Sequence, residues 1–161
     1  MRITLAAIGR MKTGPERELV ARYLDRARLA GKPLGFSQFD IAEFPESRAG
    51  SAAGRKADEA RALVAATPDD AITVALDERG DATSSEKFAA DLAAWRDDGR
   101  RAVTFFIGGA DGLDTTLVAN ADRVLSFSPL TWPHQLVRIM LAEQLYRATT
   151  ILSGHPYHRG G

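Results

Sequence analysis

Two strand-like runs in the last third of the chain each end in residues suited to holding a ligand. Ile107-Gly108-Gly109-Ala110-Asp111-Gly112 follows the apolar Phe105-Phe106. Glycine lets backbone approach a bound group closely and tolerates positive φ. The spacing is neither the dinucleotide pattern G-x-G-x-x-G nor the P-loop pattern, because no Lys-Ser/Thr pair follows. The second loop, Leu125 to Trp132, carries no charge. It offers Ser126, Ser128 and Thr131 hydroxyls and a row of backbone amides beside Phe127, Leu130 and Trp132. That surface suits a flat heterocycle such as adenine, with Pro129 and Pro133 stiffening it. Loops at the carboxyl ends of parallel strands are where open sheets bind ligands. Each loop also reads as a tight turn or a core connection, and residue types alone leave both readings open.

A third group is the tail His155-Pro156-Tyr157-His158-Arg159. These side chains can move protons, stack on a base and bind phosphate. His155 and His158 lack nearby carboxylates or thiolates in the sequence, which argues against a metal site. Asp77-Glu78-Arg79-Gly80 follows another strand. Its acids can bind a ribose, but a solvated turn is the plainer reading. There is no Ser-His-Asp order and no nucleophile elbow.

Alternating strands and helices position these groups. The patterns predict strands over 2–9, 36–44, 71–76, 102–107 and 123–126. In the second strand Phe36, Phe39 and Ile41 are the expected core. Helices are expected from Gly14-Pro15 to Gly31, over 55–66, from the capping-box spacing Thr83…Glu86 to Asp98, over 114–121, and from Pro133 to Thr150. Pro45 to Gly54 is expected to be a mobile loop. Five alternations place the chain in the α/β class with a mostly parallel sheet. The last helix is apolar on more than one face, through Leu136, Val137, Ile139, Met140, Leu141, Leu145 and Tyr146. It is therefore expected to be buried on both sides, by the core alone or by the core and a second subunit.

Composition bounds the rest. At 161 residues, 45% of them hydrophobic, one domain over 1–161 is expected. No apolar run is long enough for a membrane span. The opening residues are too short and strand-like for a signal peptide. Cysteine is absent, which excludes disulfides and fits a reducing cytoplasm. With 21 basic and 21 acidic residues, charge alone gives little grip on nucleic acid. A neutral total can still hide basic faces. Arg48, Arg55, Lys56 and Arg61 form one candidate, for which a solvated surface is the plainer reading. Arg138, Arg147, His155, His158 and Arg159 form another.

Taken together, these motifs resemble the ribosomal RNA large subunit methyltransferase H family of the knotted SPOUT superfamily. The resemblance covers essentially the whole chain. It is carried by Ile8-Gly9-Arg10-Met11-Lys12, Thr73-Val74-Ala75-Leu76-Asp77, Ile107 to Leu113, Leu125 to Arg138, Ala142 to Ala148 and His155 to Arg159. It implies helices on both faces of the sheet, a carboxyl-terminal trefoil knot and a cytoplasmic homodimer. It implies an S-adenosyl-L-methionine-dependent enzyme that methylates N3 of pseudouridine 1915 in helix 69 of 23S rRNA on the assembled ribosome, without metal or membrane. The resemblance places cofactor contacts at Leu76, Gly108 and Phe127-Ser128-Pro129-Leu130-Thr131-Trp132. The chemistry of the transfer nominates His155 or His158 to take the N3 proton, Arg138 or Arg159 to stabilise the anion, and Tyr157 to stack on the base. Three other readings stay open: a methyltransferase acting on transfer RNA or free rRNA, a non-catalytic ribosome-binding factor, and a nucleotide-binding regulator.

Overall fold

The computed structural model describes residues 1–159; the last two residues of the expected 1–161 domain lie outside it. Five parallel strands form one sheet in the order β2-β1-β4-β3-β5. They are β1 (Arg2–Ile8), β2 (Gln38–Phe44), β3 (Ile72–Ala82), β4 (Ala102–Ile107) and β5 (Arg123–Ser126). The helices are α1 (Pro15–Gly31), α2 (Ala52–Ala65), α3 (Ser85–Asp97), α4 (Thr115–Asn120) and α5 (His134–Ser153). A 3-10 turn, Lys32–Leu34, follows α1.

The sheet buries both faces, as all-parallel sheets must. Side chains alternate across it, so Ile3, Leu5 and Ala7 of β1 face one core while Ala6 and Ile8 face the other. The first core takes Leu24 of α1, Phe88 and Leu92 of α3, and Leu141 and Leu145 of α5. The second takes Leu63 of α2 and Leu117 of α4. Every residue of β4 is buried, as its unbroken apolar run requires.

Four local expectations are corrected. First, α2 starts three residues early, because Ser51 caps it by accepting from the Gly54 N–H at 3.0 Å. Second, the preceding loop is pinned rather than free. The Ser47 N–H donates to Glu59 at 2.9 Å and its hydroxyl to Asp58 at 2.8 Å. Third, the cap of α3 is Ser84, which accepts from the Lys87 N–H, one position later than the Thr83…Glu86 spacing indicated. Fourth, β3 does not stop at Leu76. Leu76 and Asp81 both pair with Leu125, so Asp77–Gly80 bulges out of the ladder and the strand resumes to Ala82.

Parallel pairing brings the carboxyl ends of all five strands to one rim. The bulge after Leu76, the glycine loop after β4 and the neutral loop after β5 leave the sheet there. The glycine and neutral loops are close in sequence and the bulge is remote from both; strand order makes β3 the neighbour of both β4 and β5.

Candidate active site

The three loops enclose a cavity of about 680 Å³. Leu76, Gly108, Phe127, Ser128, Leu130, Thr131 and Trp132 line it; Pro129 belongs to the same loop but not to the wall. Lys56, Asp77, Asp111 and His134 also reach the wall; Asp77 and Asp111 belong to loops already singled out from the residue pattern, whereas Lys56 and His134 carried no such signal. His134 arrives because Pro133 caps α5 at the rim. Lys56 arrives from α2 on the opposite face of the sheet.

The loops owe their shape to a few strong contacts. Ser126 donates to the Glu78 carbonyl at 3.1 Å, and the Thr131 hydroxyl donates to the Glu78 carboxylate at 3.0 Å. These bonds fasten the bulge to the neutral loop. In the glycine loop the Gly112 N–H donates to the Gly109 carbonyl at 3.0 Å, closing a turn, and Gly112 holds φ at +79°. Gly108 is required by the loop itself. A Cβ there would lie 2.7 Å from the Gly112 carbonyl carbon and 2.8 Å from the Leu113 nitrogen. The Asp77 carboxyl is held below its ordinary range by a hydrogen bond from Arg79, and that of Asp111 by one from Arg55.

The wall suits a neutral heterocycle. Among the described residues, the backbone N–H groups of Thr131 and Trp132 have no partner within the protein. Two unengaged donors beside Leu76, Phe127 and Leu130 can grip a planar ring by its edge and its faces.

Arg138 is neither on a surface patch nor with the tail. It is 0% exposed and lies under the rim. Its guanidinium donates to Glu43 at 2.8 Å and to the carbonyls of Ile8 and Gly9 at 2.5 and 2.8 Å, while Nε has no partner. Burial lowers its basicity, and the Glu43 charge offsets part of that. Glu43 also accepts from the Met11 N–H at 2.9 Å, so the group ties α5 to the segment after β1. A residue committed to two carbonyls and a carboxylate has little left to offer a reacting base.

The tail folds back on α5. Tyr157 donates its hydroxyl to Glu143 at 3.0 Å, and Arg147 donates to the same oxygen through Nε and Nη2. Burial, then the Glu143 hydrogen bond, pushes the Tyr157 hydroxyl well above the ordinary phenol range. The Tyr157 ring lies 4.7 Å from that of Tyr146. Arg147 also meets His158 Nδ1 at 3.3 Å, and His158 Nε2 meets Glu86 at 2.7 Å. A guanidinium can only donate, so Nδ1 accepts and Nε2 carries the proton toward Glu86. His155 lines a separate groove with Arg26 and Tyr146. Glu143 and Arg147 were legible as an i,i+4 pair on α5, but Glu86 read only as a helix-start residue and gave no sign of meeting the tail.

Within one chain, therefore, the tail residues do not line the cavity. Arg147 lies nearly four helical turns beyond His134, about 20 Å along the axis. Among the described residues, no group of three or more His, Cys, Asp or Glu is arranged to hold a metal ion. No described helix is long and apolar enough to cross a membrane.

Comparison with known proteins agrees with this architecture. Residues 1–158 match the family described as predicted SPOUT methyltransferase. The chain is 57% identical over 159 residues to the ribosomal RNA large subunit methyltransferase H of Rhizobium rhizogenes, covering 99% of each. It is 55% identical over the same span to that of Bradyrhizobium diazoefficiens, again covering 99% of each. Among solved structures it resembles a probable methyltransferase from Bordetella pertussis Tohama I, with a TM-score of 0.50, 15% identity, and 91% and 95% of the two chains covered. At that identity the likeness speaks for the fold alone.

Proposed function

The chain belongs to the SPOUT methyltransferase family, and from that premise we propose that it transfers a methyl group from S-adenosyl-L-methionine to large-subunit rRNA. The target we infer is N3 of pseudouridine 1915 in helix 69 of 23S rRNA on the assembled ribosome, in the cytoplasm. The observation that carries this reading is the convergence of three strand-end loops on one cavity. The names of the relatives at 55 and 57% identity support the rRNA substrate.

The residues present fit the cofactor. The unengaged amides of Thr131 and Trp132 suit the adenine edge, and Leu76, Phe127 and Leu130 suit its faces. When bound, the sulfonium supplies an electrophilic methyl carbon. The protein must hold that carbon in line with the accepting nitrogen and exclude water, and positioning of this kind can account for much of the acceleration.

The tail supplies the proton chemistry in this reading. His158 takes the N3 proton only when Nδ1 leaves Arg147, since Nε2 already carries hydrogen toward Glu86. Arg159 stabilises the anion and Tyr157 stacks on the base, with His155 beside them. Arg138 instead holds the rim in place from below.

Because the tail of one chain stands away from its own cavity, the reading needs a homodimer in which one protomer's tail completes its partner's site. The apolar side chains of Leu136, which is exposed, and Met140, which is half-buried, on α5 favour this arrangement. A trefoil knot at the carboxyl end, threading the loop segments that form the cavity, belongs to the same proposal.

Mass spectrometry of 23S rRNA tests the reading. Ribosomes from a deletion strain should lack one methyl group at the pseudouridine, and purified protein with S-adenosyl-L-methionine should restore it on whole ribosomes but not on free RNA. An unchanged methylation pattern would leave a non-catalytic ribosome-binding role instead.

A further inference from the structure

The glycine loop is clamped from outside the cavity by a residue that composition suggested was merely a surface cation. Arg55 on α2 donates through Nε to Asp111 Oδ2 at 2.6 Å and through Nη2 to Oδ1 at 3.1 Å. This two-pronged geometry is the strong form of an arginine–carboxylate pair. The third nitrogen, Nη1, donates to the Ala49 carbonyl at 3.1 Å. One guanidinium thus binds the cavity wall and the pinned loop before α2 at once. The two side chains are 32% and 28% exposed, so the pair is half-shielded from water.

Asp111 sits inside the Gly109–Gly112 turn, whose closure forms part of the wall. The turn's one apolar side chain, Ala110, is exposed rather than packed, and glycine backbone carries a large conformational freedom to lose. Something outside must fix it. Ser47, bonded to Glu59 and Asp58 of the same helix, makes the anchor under Arg55 rigid.

We propose that Arg55 is a positioning residue for methyl transfer, holding the glycine loop in its cofactor-accepting shape through Asp111. This rests on the proposed function above. A further consequence is that the carboxylate of Asp111 is neutralised at the wall rather than left to face the ligand.

Calorimetry with S-adenosyl-L-methionine, on the full chain, tests it with Arg55→Gln, Arg55→Lys, Asp111→Asn and the double variant Arg55→Gln/Asp111→Asn. Each removal should weaken binding roughly fivefold, with the double no worse than either single, because both break one contact. Arg55→Lys, which keeps the charge but loses the fork, should recover part of the affinity. In ribosome methylation the loss should fall on KM for the methyl donor more than on kcat. Thermal melting checks that each variant folds; should Arg55→Gln not fold, Asp111→Asn against Arg55→Lys decides. Wild-type binding with unaltered affinity in the variants, or losses that simply add, would overturn the clamp alone. A wild-type protein that does not bind the donor would overturn the proposed function, and the clamp with it.

Discussion

The Arg138 guanidinium and the Glu43 carboxylate lie 2.8 Å apart, joining the last helix to the second strand across 95 positions of sequence. Replacing Arg138 with Met leaves two carbonyls without their donor and Glu43 without its countercharge, with only the Met11 N–H still bonded to it. Breaking a buried pair from one side costs about 3 kcal/mol or more. Urea denaturation of Arg138→Met should show that loss. A variant as stable as wild type would mean that this group is not structural.

Gly108→Ala should remove donor binding by collapsing the loop rather than by touching the ligand. The added carbon meets backbone, which cannot step aside as a side chain would. Overpacking of this kind costs about 1–3 kcal/mol. We expect a lower melting temperature together with at least a tenfold weaker affinity in calorimetry, whereas a purely steric block at the ligand would leave the melting temperature unchanged.

His158→Ala should abolish measurable methyl transfer, a loss of about a hundredfold or more for a general base, while donor affinity stays within a few fold. Single-turnover assays on ribosomes give the first number and calorimetry the second. Unchanged turnover would remove the tail from the chemistry.

Alkaline titration should report on Tyr157. Tyr157 is held protonated by burial and by Glu143, so its folded pKa exceeds the unfolded value near 10. For such a group the stabilising contribution is complete below the unfolded pKa and is lost as pH rises through the folded one. Ultraviolet difference spectra should therefore show a tyrosine ionisation above the ordinary phenol range, with the tail detaching as it occurs. Tyr157→Phe should lack that step.

How much of this was legible beforehand differs by element. The strand Ala102–Ile107 was plain because a central parallel strand needs an unbroken apolar run. The helix after Asp114 was plain because that carboxylate accepts from the Thr116 and Leu117 N–H groups. The extension of β3 past Leu76 was not legible, since Asp77-Glu78-Arg79-Gly80 has turn composition and only pairing with β5 draws the strand back in. The cavity loops could be singled out by their glycines and their lack of charge. Lys56 could not, because what brings it to the wall is packing across the sheet. Arg138 was read as an anion-stabilising group beside the tail, because its actual partners Ile8, Gly9 and Glu43 are remote in sequence and two of them act through backbone.

The last helix starts at the rim with His134 and, in its second half, carries Arg147 to the folded-back tail. One rigid rod thus carries both ends of the machinery. Tilting it at one end should therefore displace the group carried at the other.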